Sequence, residues 1–148
     1  MELQSSETVD LAVQLGASML LVIICSAIHG IGLVGATRLL NLREDRLKEH
    51  DLDFSALLLM CGMAVCLFLL HMVEITVFAF FYLLVGAIGS LEEAIHYSAA
   101  AYATLGGTAE YFPDDWALMG SIEAVIGFLL LGWSTAFIVR NVNRLRES

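Results

Sequence analysis

Three uninterrupted apolar runs dominate this chain: Leu11 to Thr37, Phe54 to about Gly86, and Trp116 to Val139. Each exceeds the ~20 residues with which a helix crosses a hydrocarbon core about 30 Å thick. Lipid offers no hydrogen-bond partner to a peptide group, so each run must satisfy its own backbone, which an isolated segment does only as a helix. The chain is 59% hydrophobic with a mean hydropathy of +0.80, more apolar than a soluble domain of 148 residues tolerates. The expected fold class is therefore an all-α membrane protein with three transmembrane helices. At ~1.5 Å per residue the second run would reach about 50 Å, which predicts a tilt, a kink or a projection beyond the membrane. Cys25, Cys61 and Cys66 all fall within apolar runs and read as small hydrophobes, not as a disulfide framework.

Charge orients the runs. All seven basic residues, Arg38, Arg43, Arg46, Lys48, Arg140, Arg144 and Arg146, lie after the first run or after the third. Eight acids, Glu2, Glu7, Asp10, Glu92, Glu93, Glu110, Asp114 and Asp115, lie at the opposite ends with no basic neighbour. Lys and Arg mark cytoplasmic flanks, which puts the N-terminus outside and the C-terminal tail inside. Acids at the N-terminus are the reverse of a signal peptide, so the first helix is expected to stay attached. The net charge of −9 excludes a nucleic-acid partner, and the short basic clusters suit anionic lipid headgroups.

Between the second and third runs lies Ser90 to Pro113, SLEEAIHYSAAAYATLGGTAEYFP, too polar and too broken to span. Ser90 with Glu93 forms the capping pattern S-x-x-E, so a short helix is predicted to begin at Leu91. The adjacent Gly106 and Gly107 and the single proline predict irregular backbone after it. At membrane depth such backbone is tolerated only inside protein or beside a water-filled cavity, and the stretch is read as a re-entrant loop entering from the outer face.

Glu93-Ala94-Ile95-His96-Tyr97-Ser98 followed by Thr104-Leu105-Gly106 resembles the pore helix and filter of two-transmembrane, pore-loop potassium channels. Gly120 to Gly127, ahead of an apolar stretch and Arg140, resembles the inner helix of bacterial members of that superfamily, and the resemblance covers roughly Phe54 to Arg146. It implies a homotetramer around an axial pore, no catalytic residue, and no cofactor or metal beyond permeant K⁺ or Na⁺. The implied filter is Thr104, Leu105, Gly106, Gly107 and Thr108, with Glu110, Asp114 and Asp115 at the outer mouth. Gly127 and Gly132 become candidate bending points of the inner helix, or simply sites of tight packing. The filter departs from TVGYG after Thr-Leu-Gly. Gly107 has no ring to wedge against neighbouring helices, and β-branched Thr108 stands where a second glycine is usual. Weak or altered K⁺/Na⁺ discrimination is expected. Cation preference is also expected from the C-terminal end of the short helix at about Ala101 to Ala103, whose carbonyls would face the axis.

The domain organisation that follows is an N-terminal outer helix (1–40), a cytoplasmic basic connection (41–53) and a pore unit (54–148). The pore unit comprises an outer helix at 54–86, pore helix and filter at 90–113, an inner helix at 116–140 and a short tail.

His29, His71, Glu74 and Glu123 lie within the runs, where charge costs at least a few kcal/mol and each group needs a protein partner. Glu74 or Glu123 is expected to hydrogen-bond behind the filter, with His96, Tyr97 and Tyr102 as candidate donors. Three other functions stay open: a non-conducting structural or regulatory subunit, a proton pathway through His29, His71 and Glu74, and a metal-centred oxidoreductase. The last is suggested by His71 and Glu74 at i, i+3 and by the Glu93-x-x-His96 spacing of di-iron bundles. Gly30 to Gly35 matches G-x-G-x-x-G literally, but without a βαβ context it reads as a helix-packing surface, with Gly32 and Ala36 at small-xxx-small spacing.

Overall fold

The computed structural model describes residues 10–47, 52–105 and 114–147, and among them all regular structure is helical. In chain order the elements are α1 (Leu11–Leu47), α2 (Leu52–Leu84), α3 (Leu91–Tyr102), a 3-10 turn (Asp114–Trp116) and α4 (Ala117–Glu147). Within α1, α2 and α4, the segments Leu11–Leu39, Leu57–Leu84 and Ala117–Asn143 are long and apolar enough to cross a membrane. Ile31, Phe80, Phe128 and Leu129 project outward from these segments, an apolar exterior that suits lipid. This is a membrane protein.

Two helices outrun the apolar runs that announced them. α1 continues past Thr37 to Leu47, so Arg38, Arg43 and Arg46 are carried on the helix beyond its apolar run. Nothing between Ala36 and Leu47 stops it: the segment has neither glycine nor proline and is rich in Leu and Arg, both good helix formers. α4 likewise passes Val139 and runs to Glu147. α2 ends at Leu84, where Gly86 takes a left-handed φ of +70°. The Gly86 N–H donates to Leu83 O (3.1 Å) and the Ala87 N–H to Tyr82 O (2.9 Å), the paired bonds of a Schellman termination.

α3 begins where the capping pattern placed it. Ser90 is extended (φ −131°, ψ 149°), and its hydroxyl accepts the Glu93 N–H at 3.3 Å. Glu92 and Glu93 occupy the first turn, where the helix dipole favours negative charge. α3 closes with the same termination as α2. The Thr104 N–H donates to Ala101 O and the Leu105 N–H to Ala100 O, both at 2.9 Å. The left-handed position is filled here by Thr104 (φ +58°), a β-branched residue where glycine is usual, which costs on the order of 1–2 kcal/mol.

The chain divides into two compact units: Met1–Cys25 with Ile75–Leu129, and Ser26–Glu74 with Leu130–Ser148. In the first, α3 packs against α2 and α4 around Phe78, Tyr82, Ala94, Tyr102 and Met119, all buried, with the Phe81 and Trp116 rings edge to face at 5.4 Å. The approach of α3 to α4 is close. A Cβ at Gly127 would lie 2.9 Å from the Tyr102 carbonyl carbon, so that position admits no side chain. In the second unit Leu33, Ala36, Met63, Leu67 and Phe137 form the core, with Cys66, Leu70 and Ile138 packed on it. Gly32 receives the Leu70 side chain, and with buried Ala36 it forms the packing surface expected of the glycine-rich segment. Cys25, Cys61 and Cys66 are free thiols.

Of the two candidate bending points, Gly127 is a packing contact, whereas no neighbouring atom stands within 4 Å of a Cβ placed at Gly132; both lie within the continuous helix α4. Gly127→Ala is expected to destabilise the protein by about 1–3 kcal/mol, since backbone cannot yield cheaply. Gly132→Ala is expected to be neutral or stabilising by up to about 1 kcal/mol. Unfolding in detergent, followed by helical circular dichroism, checks the pair.

Candidate functional site

Among the described residues, each unit holds a buried polar cluster built from separate helices. In the first unit the cluster is centred on Glu123 of α4, which has no solvent exposure. Tyr82 of α2 donates its hydroxyl to Glu123 Oε2 at 2.5 Å, and Ser98 of α3 is hydrogen-bonded to Glu123 Oε1. Ser98 Oγ also lies 2.8 Å from the carbonyl oxygen of Ile75 on α2. A hydroxyl carries one proton, so Ser98 cannot fully serve both acceptors. Its one proton is shared between Glu123 Oε1 and the Ile75 carbonyl, while Tyr82 donates to the other carboxyl oxygen.

The helical repeat explains why these groups meet. Gly120, Glu123 and Gly127 recur at i, i+3 and i+7 on one face of α4. Gly120 admits the Tyr97 side chain, Glu123 receives Ser98, and Gly127 admits the Tyr102 backbone. The Tyr97 ring stands edge-on to Tyr82 at 5.3 Å (87°). Burial, with the Glu123 carboxyl adding to it, pushes the Tyr97 phenol up to about 12, so it stays protonated at neutral pH.

In the second unit the cluster joins His29 of α1, His71 and Glu74 of α2, and Ser134 of α4. His29 and Glu74 have no exposure, Ser134 has 5% and His71 12%. His29 Nδ1 lies 2.9 Å from Glu74 Oε1, and His71 Nδ1 lies 3.1 Å from Glu74 Oε2. An ionised carboxylate only accepts, so against it both imidazoles donate from Nδ1. At the other edge of the rings, His71 Nε2 is 3.0 Å and His29 Nε2 3.4 Å from Ser134 Oγ. The imidazoles thus lie side by side, with centroids 5.3 Å apart, bracketed by a carboxylate and a hydroxyl. The Trp133 ring stands 5.4 Å from that of His29.

Sequence reasoning singled out Glu123, His71, Glu74 and His29, and all four are in these clusters. Glu123 is hydrogen-bonded to Tyr82 and Ser98, which sequence reasoning did not propose as its partners, and His96 is exposed on α3. Glu93 is exposed as well, and among the described residues neither it nor His96 belongs to a cluster of metal-ligating side chains. Ser134 and Tyr82 were missed, although a hydroxyl set in an apolar run is itself a sign that a partner exists. Thr104 and Leu105 are exposed at the end of α3, and the Ala101 carbonyl, expected to face an axis, accepts the Thr104 N–H. Asp114 opens the 3-10 turn and Asp115 is half-buried within it. Gly106, Gly107, Thr108 and Glu110 lie outside the described residues.

The chain matches no family model, no curated protein and no solved structure.

Removing one donor from a buried carboxyl leaves an oxygen unsatisfied, at about 1–3 kcal/mol. Tyr82→Phe and Ser98→Ala are each expected to destabilise the protein by that amount. The double variant should depart from additivity by more than about 0.5 kcal/mol, because both act on Glu123. A double-mutant cycle of unfolding free energies in detergent measures the coupling.

Proposed function

We propose that the chain is a subunit of a homotetrameric, pore-loop cation channel, similar in its pore unit to two-transmembrane potassium channels, with weak K⁺/Na⁺ discrimination. The observation that carries this proposal is α3. At 12 residues it is about 18 Å long, too short to cross a ~30 Å core, yet it sits between two helices that are long enough. Three contacts with α4, through Tyr97, Ser98 and Tyr102, hold it there. Its C-terminal end, the negative end of its dipole, leads into Thr104-Leu105-Gly106, which suits a cation. One such helix per chain cannot ring an axis, so closure needs several copies, and four is the number in the family it resembles.

In this proposal α3 is the pore helix, Thr104 to Thr108 are the filter, and Glu110, Asp114 and Asp115 form acidic rings at the outer mouth. The N-terminus is outside and the basic ends of α1 and α4 are cytoplasmic, following the distribution of Lys and Arg. Glu123 is a scaffold group that positions the pore helix.

One observation favours a second function, that of a non-conducting channel-like subunit. Thr104 spends its N–H on the helix termination and takes a left-handed conformation, an unusual start for a row of axial carbonyl ligands.

Reconstitution in liposomes separates the two. The channel predicts cation flux with K⁺ and Na⁺ permeabilities within about tenfold of each other under bi-ionic conditions. A strong potassium preference refutes the weak-selectivity clause, and intact tetramers without flux favour the second function.

A further inference from the structure

Glu74 is a carboxylate with no exposure on a helix that crosses the membrane, and it pairs with the histidines His29 and His71. Arg38 and Arg140, the described basic side chains, are exposed. An ionised Glu74 at this depth costs several kcal/mol unless positive charge stands beside it, and a cation held by the cluster would supply that charge.

The donor set is specific. His29, His71 and Glu74 each present a ligand atom, and these atoms lie within 4.8 Å of one another. Zinc bonds to nitrogen and carboxylate oxygen are about 2.0–2.1 Å, which makes the edge of a coordination tetrahedron roughly 3.3 Å. His29 Nδ1 is 2.9 Å from one Glu74 oxygen and His71 Nδ1 3.1 Å from the other, each a few tenths of an ångström shorter than such an edge, so side-chain shifts of that order would admit an ion between the carboxylate and the rings. Two imidazoles with one carboxylate suit a first-row transition metal, whereas Mg²⁺ and Ca²⁺ prefer oxygen alone.

Ser134 completes the match. An imidazole that binds a metal through one nitrogen carries a proton on the other and donates it to a nearby acceptor, which holds the ring in place. With a metal on the Nδ1 side, both Nε2–H groups point at Ser134 Oγ, whose two lone pairs accept both. Partly exposed His71 provides access.

We propose that His29, His71 and Glu74 bind one divalent first-row transition-metal ion, with Zn²⁺ the best fit, and that Ser134 orients both imidazoles. The ion ties α1 to α2 and balances the Glu74 charge within the second unit. This site goes beyond the proposed pore, and its test does not involve flux.

The purified full-length protein in detergent, stripped with a chelator, is titrated with Co²⁺ as a spectroscopic probe. The expected result is saturation at one ion per chain, with visible bands of nitrogen-ligated, low-coordinate cobalt that Zn²⁺ abolishes, and a melting temperature that rises with added Zn²⁺. His29→Gln and His71→Gln should each weaken binding by more than about 10-fold, and Ser134→Ala by about 10–100-fold with stoichiometry kept. A wild-type protein that is helical yet shows only the spectrum of hydrated cobalt overturns the proposal and leaves a hydrogen-bond network without metal. So does wild-type affinity in both glutamine variants. The wild-type titration decides the matter even where a variant fails to fold.

Discussion

A polar group at hydrocarbon depth has no water to turn to, and the internal order of this protein follows from that single fact. Glu123 and Glu74 are the most demanding cases, because a carboxyl in lipid without partners costs several kcal/mol, comparable with the whole stability of a domain. Each is met by groups from other helices. Glu123 takes Tyr82 from α2 and Ser98 from α3; Glu74 takes His29 from α1 and His71 from its own helix, with Ser134 of α4 behind them. Apolar packing alone distinguishes poorly between one helix pairing and another in lipid, since lipid tails are as apolar as leucine. The buried carboxyls favour the pairings seen here, because these bring hydrogen-bond partners to them.

The short helix α3 shows how local and tertiary requirements combine. Its start is local: a serine hydroxyl and a peptide N–H three residues on. Its end is local in form as well, since two paired bonds terminate it in the same manner as α2. The residue at the turn differs, however. Gly86 adopts a left-handed conformation without steric cost, whereas Thr104 does so against its β-branched side chain. Such strain persists where surrounding contacts hold it, and α3 is held along its length by Ala94, Ser98 and Tyr102.

Legibility in the sequence followed the range of the interactions. Three spans were plain from hydropathy, and the cap at Ser90 from a pattern four residues long. The helices α1 and α4 run beyond their apolar runs because apolar runs mark where lipid is, while a helix ends where its backbone meets a breaker. Intramembrane His and Glu residues could be named as needing partners, since the cost of burying them is a property of the residue. Their serine partners could not: Ser98 and Glu123 are 25 residues apart, His71 and Ser134 63, and His29 and Ser134 105. Serine is common and cheap to bury once bonded, so nothing in its local sequence singles it out.

The sequence by itself therefore determined that this is an all-helical membrane chain, how many spans it has, which residues are costly within them, and that a short capped helix separates the last two. Hydropathy, capping and the desolvation of charge act over one residue or one helical turn, which is why they are readable in order along the chain. Tertiary structure alone decided the rest. It brought two imidazoles, a carboxylate and a hydroxyl together in one cluster, and a carboxyl, a phenol and a serine in another. It also showed that Gly127 serves close packing and that Thr104 terminates a helix. These outcomes depend on which faces of separate helices meet, and a contact between faces belongs to no single stretch of sequence.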